Sequence, residues 1–159
     1  MRDLPRLEVE EYVRSRPLGP WAGRPLSAPP DGAVVLRYDR NLTDVREFTA
    51  IQASRAGLPP DRATDLVIAI AELAANTLAH TNGSGAVTFW ATADEIIGQV
   101  QDQGHIEDPL AGQVRPAPDA PGGGRGLWLV HEVCDQVEIR TGQAGTTVRV
   151  HMRRGAEPA

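Results

Sequence analysis

One segment constrains the fold of this chain more than any other. TDLVIAIAELAANTLAHT (residues 64–81) has the length and period of a helix, entered at Pro60 and Asp61 and ended before Asn82-Gly83. At 100° per residue it is apolar nearly all the way round. Leu66, Ile70, Leu73 and Thr77 mark one edge, Val67, Ala71, Ala74 and Leu78 lie beside them, and Ile68, Ala75 and Ala79 widen the surface. A helix of this kind is buried on most sides, so the rest of the domain must be built around it. Its polar exceptions, Asp65, Glu72, Asn76 and His80, fall in one band about 80° wide. Ionisable groups on a buried helix need partners. The band reads either as a narrow solvent-facing stripe or as the lining of a polar cavity running along the helix. Glu, Asn and His in place of the Arg/Glu mixture of a surface favour the cavity.

The flanking pattern supplies the partners for such a helix. AVVLRY (33–38) is strand-like; Asn41 or Thr43 caps a helix running to about Gly57, with Val45, Phe48 and Ile51 turned to one side. AVTFWAT (86–92) and IIGQVQD (96–102) read as strands joined near Asp94, and residues 104–123, with four Pro and four Gly, as a mobile loop. LWLVHEVC is helical, and DQVEIRT and TTVRVHM are strands flanking a turn at 142–145. The order β–α–α–β–β–loop–α–β–β indicates an α+β two-layer sandwich, a mixed and mostly antiparallel sheet covered on one face by helices. Its 159 residues suit one core, placed at 31–154. Residues 1–30 read as an N-terminal arm, linker or plain tail, because RPLGPWAGRPLSAPP cannot hold a helix; 155–159 are a short tail.

Composition then removes several kinds of chemistry. All 16 basic residues are Arg. Without lysine there is no Walker A loop, no protein-kinase strand lysine and no Schiff base. A single cysteine, Cys134, excludes an internal disulfide framework and a multi-cysteine zinc site. A net charge of −5 argues against non-specific nucleic-acid binding. No run of 18 apolar residues could span a membrane, and MRDLPRLEVEEYV lacks the apolar stretch of a signal peptide. The expectation is a cytoplasmic protein.

The residues with chemical potential sit in four places. Glu72 and Asn76, at i and i+4, point the same way from adjacent turns. The carboxamide oxygen suits Mg²⁺ that already carries phosphates, and the carboxylate suits proton acceptance from a hydroxyl or water attacking a γ-phosphate. Asp102-Gln103-Gly104 ends a strand, and reads as a common turn or as a carboxylate that accepts from an exocyclic amine. GGGRGLWLV (122–130) places backbone N–H groups before a helix, as a hinge or as an anion cradle. GTTV (145–148) reads as a hairpin turn or as a further site element.

Taken in order, ELAAN, DQG, GRGL and GTT resemble the N box and the three glycine boxes of the GHKL ATPase superfamily, which has the Bergerat or histidine-kinase-like ATPase fold. The resemblance covers roughly residues 33–153. With nothing but a short tail after GTTVRVHM, the chain looks most like the bacterial anti-sigma-factor serine/threonine kinases. The resemblance implies ATP and Mg²⁺ as cofactors, Glu72 as general base and Asn76 as the Mg²⁺ ligand. It implies Asp102 at adenine with Gly104 as its turn, Gly124 and Gly126 around the phosphates, and Thr146 near the nucleotide. His80, Arg125 and Leu127 complete the nucleotide-binding set. Ile106 stands where the second glycine of the usual D-x-G-x-G falls, and the loop lacks a second glycine pair at its start.

The implied function is that of a kinase that binds a sigma factor and phosphorylates an anti-sigma antagonist, as a homodimer, without direct nucleic-acid or membrane contact. The alternative is a non-catalytic nucleotide-binding partner-switching module that sequesters a regulatory protein. A detached histidine-kinase catalytic domain is disfavoured because no dimerisation helix with a phospho-accepting His precedes residue 33.

Overall fold

A computed structural model describes residues 26–80, 84–102, 125–142 and 145–154. The elements follow the expected order: β1 (Val34–Tyr38), α1 (Leu42–Arg55), α2 (Pro60–His80), β2 (Gly85–Ala91), β3 (Glu95–Asp102), α3 (Arg125–Val133), β4 (Gln136–Gly142) and β5 (Gly145–Arg153). The strands form one sheet in the order β1-β2-β3-β5-β4. All four described pairings are antiparallel, so the mostly antiparallel sheet has no parallel pair among the described strands.

Local chemistry fixes the helix ends. Asn41, rather than Thr43, caps α1, its Oδ1 accepting from the backbone N–H of Thr43 at 3.0 Å. Gly57, at φ +76°, ends the same helix, with the Leu58 N–H bonded to the Ala53 carbonyl at 3.1 Å and the Gly57 N–H to that of Ser54 at 3.0 Å. This is a Schellman closure, which needs a left-handed residue. The inner face of α1 is Val45, Thr49 and Ala53, all fully buried, with Phe48 partly buried. Ile51, expected on that face, is 50% exposed. Thr49 takes the inner row because its hydroxyl donates to the Val45 carbonyl at 2.7 Å and so brings no unpaired group into the core.

Helix α2 lies between α1 and α3 and packs onto the sheet. Leu66, Ala69, Ile70, Leu73 and Ala74 meet a sheet face built from Val87, Phe89, Ile96, Val100, Val148, Val150 and Met152, all buried. The closest approach is at Gly98, where an added Cβ would lie 2.7 Å from a Phe89 ring carbon and 3.1 Å from Ile70 Cδ1. Helix α3 contributes Leu127 and Val130, and Cys134 follows it into the same core.

On the face of the sheet turned away from the described helices, polar side chains are also buried. Arg149 (5% exposed) donates twice to Gln99 Oε1, from Nε at 3.0 Å and Nη2 at 2.6 Å, and reaches the Ser27 carbonyl at 2.6 Å. Its guanidinium lies 4.8 Å from the Trp90 ring centroid. Ser27, placed in the arm by the sequence, is thus held to this face. On the same face His151 sits between Glu95 (2.9 Å) and Glu138 (2.7 Å), joining β3, β5 and β4.

Two outcomes follow. Gly98→Ala should overpack the α2–sheet contact and lower the unfolding free energy by about 1–3 kcal/mol in urea titration; no loss would mean that Phe89 and Ile70 yield freely. Burial pushes the Cys134 thiol up to about 12, Arg62 opposing weakly. Because the folded value is the higher one, ionisation works against folding as pH rises above the ordinary value near 9. At pH 8 a thiol reagent should therefore label the native chain at least a hundredfold more slowly than the urea-unfolded chain.

Candidate functional site

Antiparallel register places Tyr38, Gly85, Asp102 and Thr146 in one row across β1, β2, β3 and β5, on the helix-covered side of the sheet. Tyr38 and Asp102 are two strands apart, on the order of 10 Å. Gly85 stands between them without a side chain. An added Cβ there would come within 2.6 Å of the Tyr38 hydroxyl and 2.8 Å of the Gln101 carbonyl oxygen. Into this gap α2 lowers Thr77. The Tyr38 hydroxyl donates to Thr77 Oγ1 at 2.8 Å, and Thr77 donates to Asp102 Oδ2 at 2.9 Å. Thr77 is fully buried and Tyr38 is 6% exposed, so the chain of bonds is shielded from water along most of its length. Burial raises the Tyr38 phenol above its ordinary value; the bond to Thr77 works against this and the nearby Asp102 charge adds to it. The phenol stays protonated and remains the donor.

This geometry brings together residues as far apart in the sequence as Tyr38 and Thr146, 108 positions. Asp102 ends β3, half-buried, and Thr146 (3% exposed) pairs with it on β5. Asn76 immediately precedes Thr77 on α2 and Glu72 lies one turn before; both are half-buried. A partly exposed carboxamide and a carboxylate thus adjoin the turn of α2 that bonds to Asp102. No group of three or more His, Cys, Asp or Glu that could hold a metal ion occurs among the described residues. The donor set fits a Mg²⁺ ion held by one protein oxygen and completed by phosphates and water, which is this ion's usual habit. Asn76, half-buried on α2, is a residue that could supply that oxygen.

The polar band of α2 is not the continuous cavity lining expected from its spacing. Ala69 lies within the band and is fully buried. At the N-terminal end Asp65 is engaged by Arg62 at 2.8 Å, and Arg62 also donates to the Val133 carbonyl at 2.9 Å and to Asp135 at 3.3 Å. Asp65 therefore belongs to the fastening of α3 onto α2, and the half of the band available to a ligand begins at Glu72.

Leu127 is 7% exposed and its side chain belongs to the core. Gly104, Ile106 and Gly124 lie outside the described residues, as do the side chains of His80 and Arg125; the backbone of Arg125 and Gly126 opens α3. Tyr38, Thr77 and Gly85 are members of the site that the sequence reading did not single out. The available signal was Thr77 itself, a hydroxyl on an otherwise apolar edge that required a buried partner.

No curated protein sequence matches the chain. Among solved structures, the catalytic domain of histidine kinase ThkA is 12% identical, covering 76% of this chain and 97% of that one, at a TM-score of 0.49. A mycobacterial sensor histidine kinase, MprB, is 18% identical over 76% of this chain and 97% of its own, at a TM-score of 0.50, and shares the fold. The family model of the histidine kinase-like ATPase domain runs over residues 37–152, from within β1 to the last turns of β5, and the chain belongs to that ATPase family.

Proposed function

We propose that the chain binds ATP with Mg²⁺ at the end of the sheet row and acts as an anti-sigma-factor-type serine/threonine kinase. In this reading it binds a sigma factor and phosphorylates an anti-sigma antagonist, as a homodimer. The observation that carries the nucleotide part is the bond from Thr77 to Asp102. It ties the helix bearing Glu72 and Asn76 to the strand end bearing Asp102, with Thr146 beside it. Three of the four motifs thereby meet at one end of a fold whose family is that of the histidine kinase-like ATPases. The finer reading, a serine/threonine kinase acting on an antagonist, rests on the likeness of the motif set to the anti-sigma kinases.

Each residue then has a chemical task. Asp102 accepts from the exocyclic amine of adenine, with Thr146 packed alongside. Asn76 holds the cation, whose charge offsets that of the phosphates in a chain without lysine. Glu72 accepts the proton of the antagonist's serine hydroxyl as the serine oxygen bonds to the γ-phosphorus. The bond from that phosphorus to the β–γ bridging oxygen breaks, and ADP leaves. Neither Glu72 nor Asn76 is sealed in the core, so a substrate hydroxyl can approach.

Asn76→Ala should abolish Mg²⁺-dependent ATP binding in calorimetric titration, as should EDTA with the unaltered chain. An unchanged affinity in either case would overturn the cation assignment. Glu72→Gln should leave ATP affinity and melting temperature close to those of the parent, while transfer of labelled γ-phosphate to the antagonist falls roughly 10²–10⁴-fold. Transfer unaffected by that substitution would remove Glu72 from the mechanism. ATP binding without any transfer by the parent chain would favour the non-catalytic partner-switching module.

A further inference from the structure

We infer that Tyr38 and Thr77 are positioning residues that lock the Asp102 carboxylate as a hydrogen-bond acceptor, and that this lock sets a preference for aminopurine over oxopurine nucleotides. The inference rests on the ATP-binding reading and deepens it.

The Thr77 hydroxyl has one proton to give. Among the described residues, Asp102 Oδ2 lies within reach of it at 2.9 Å and the carbonyl of Leu73 at 3.4 Å. The Asp102 bond is the shorter, and its acceptor carries the charge, so the proton points there. The Tyr38 hydroxyl supplies its own proton to Thr77 Oγ1 at 2.8 Å. Because burial keeps the phenol protonated, Tyr38 is the donor at that contact and the Thr77 proton is left for Asp102. Donor direction therefore runs one way, from β1 through α2 to β3.

A carboxylate held in this manner has its plane fixed and its acceptor character enforced. The edge it presents to a nucleobase complements an amine, as at C6 of adenine. It opposes the carbonyl that guanine carries at the same place, because two acceptors then face one another across a partly desolvated contact. The path depends on the row: an added Cβ at Gly85 would lie 2.6 Å from the Tyr38 hydroxyl and push it off Thr77.

The experiment uses the full 159-residue chain with Mg²⁺, titrated calorimetrically with ATP and with GTP. Thr77→Val keeps the shape and removes the hydroxyl. It should weaken ATP binding roughly ten- to a hundredfold, the usual worth of a bond to a charged group, and weaken GTP binding much less, so the ATP:GTP ratio collapses. Thr77→Ser should restore the ratio. Tyr38→Phe should lower the ratio by a smaller factor, and adding it to Thr77→Val should lower it no further, since the pair acts as one unit.

A second measurement needs no nucleotide. The ionisation of Tyr38, followed by NMR of labelled tyrosine carbons, should shift in Thr77→Val and stay close to the parent's in Thr77→Ser, because valine removes the hydroxyl to which the phenol is bonded. An ATP:GTP ratio unchanged in a folded Thr77→Val that binds ATP would overturn the positioning role and leave the ATP-binding reading standing. A parent chain that binds neither nucleotide would overturn both. A ratio that falls in Thr77→Ser as much as in Thr77→Val would reduce Thr77 to a packing residue and likewise overturn the inference.

Discussion

Helix α2 has to be buried on three sides and still offer one polar turn, and the rest of the molecule is arranged to satisfy both demands. Its apolar sides are met by α1, by α3 and by the sheet, with Gly98 thinning the sheet where Ile70 comes nearest. A buried hydroxyl on such a helix costs roughly 1–3 kcal/mol if it is left unpaired. Thr77 escapes that cost because β1 and β3 each present a partner to it, one phenol and one carboxylate. The same bonds fix where α2 sits along the sheet, and hence where Asn76 and Glu72 stand relative to Asp102. Packing and site geometry are set by one contact.

The register that aligns Asp102 with Thr146 is reinforced from the other side of the sheet. Arg149 and Gln99 are directly opposed on β5 and β3, and His151 links the carboxylates of β3 and β4. A slip of one residue between these strands would turn Arg149 and His151 into the apolar layer and carry Val148 and Val150 out of it. Burial holds the Arg149 guanidinium below its ordinary range, although Glu138 works against this. Its place at 5% exposure is tolerable because Gln99 and Ser27 accept its protons and Trp90 covers its face.

The element order was legible in the sequence because each signal was local. Asn41, Gly57 and Pro60 mark helix ends through their own backbone preferences, and alternation in β3 and β5 marks strands through burial of one face. The inner face of α1 was not legible. Ile51 is the more apolar residue, yet Thr49 lies inside, which depends on the helix's rotation against Phe89 rather than on α1 alone. Within the site, Asp102 and Thr146 could be named from motifs, whereas Tyr38 could not, because its part in the site arises from a register across three strands. Asp65 was grouped with Glu72 by periodicity. The structure divides them, since Arg62, three residues earlier, turns that end of the band to the service of α3.

A separation of tasks follows from where these groups are rooted. Asp102 and Thr146 stand at the ends of central strands that are packed on both faces, so the part of the site proposed to hold the base is built into the sheet. Glu72 and Asn76 stand on the partly exposed side of α2, where a side chain can be replaced without opening the core. In the proposed function, discrimination of the base and handling of the phosphates fall to different parts of the fold. Changes at Glu72 or Asn76 can retune chemistry at little cost to folding. At the base end, Thr77 serves the site and the core at once, so a change there is felt by both.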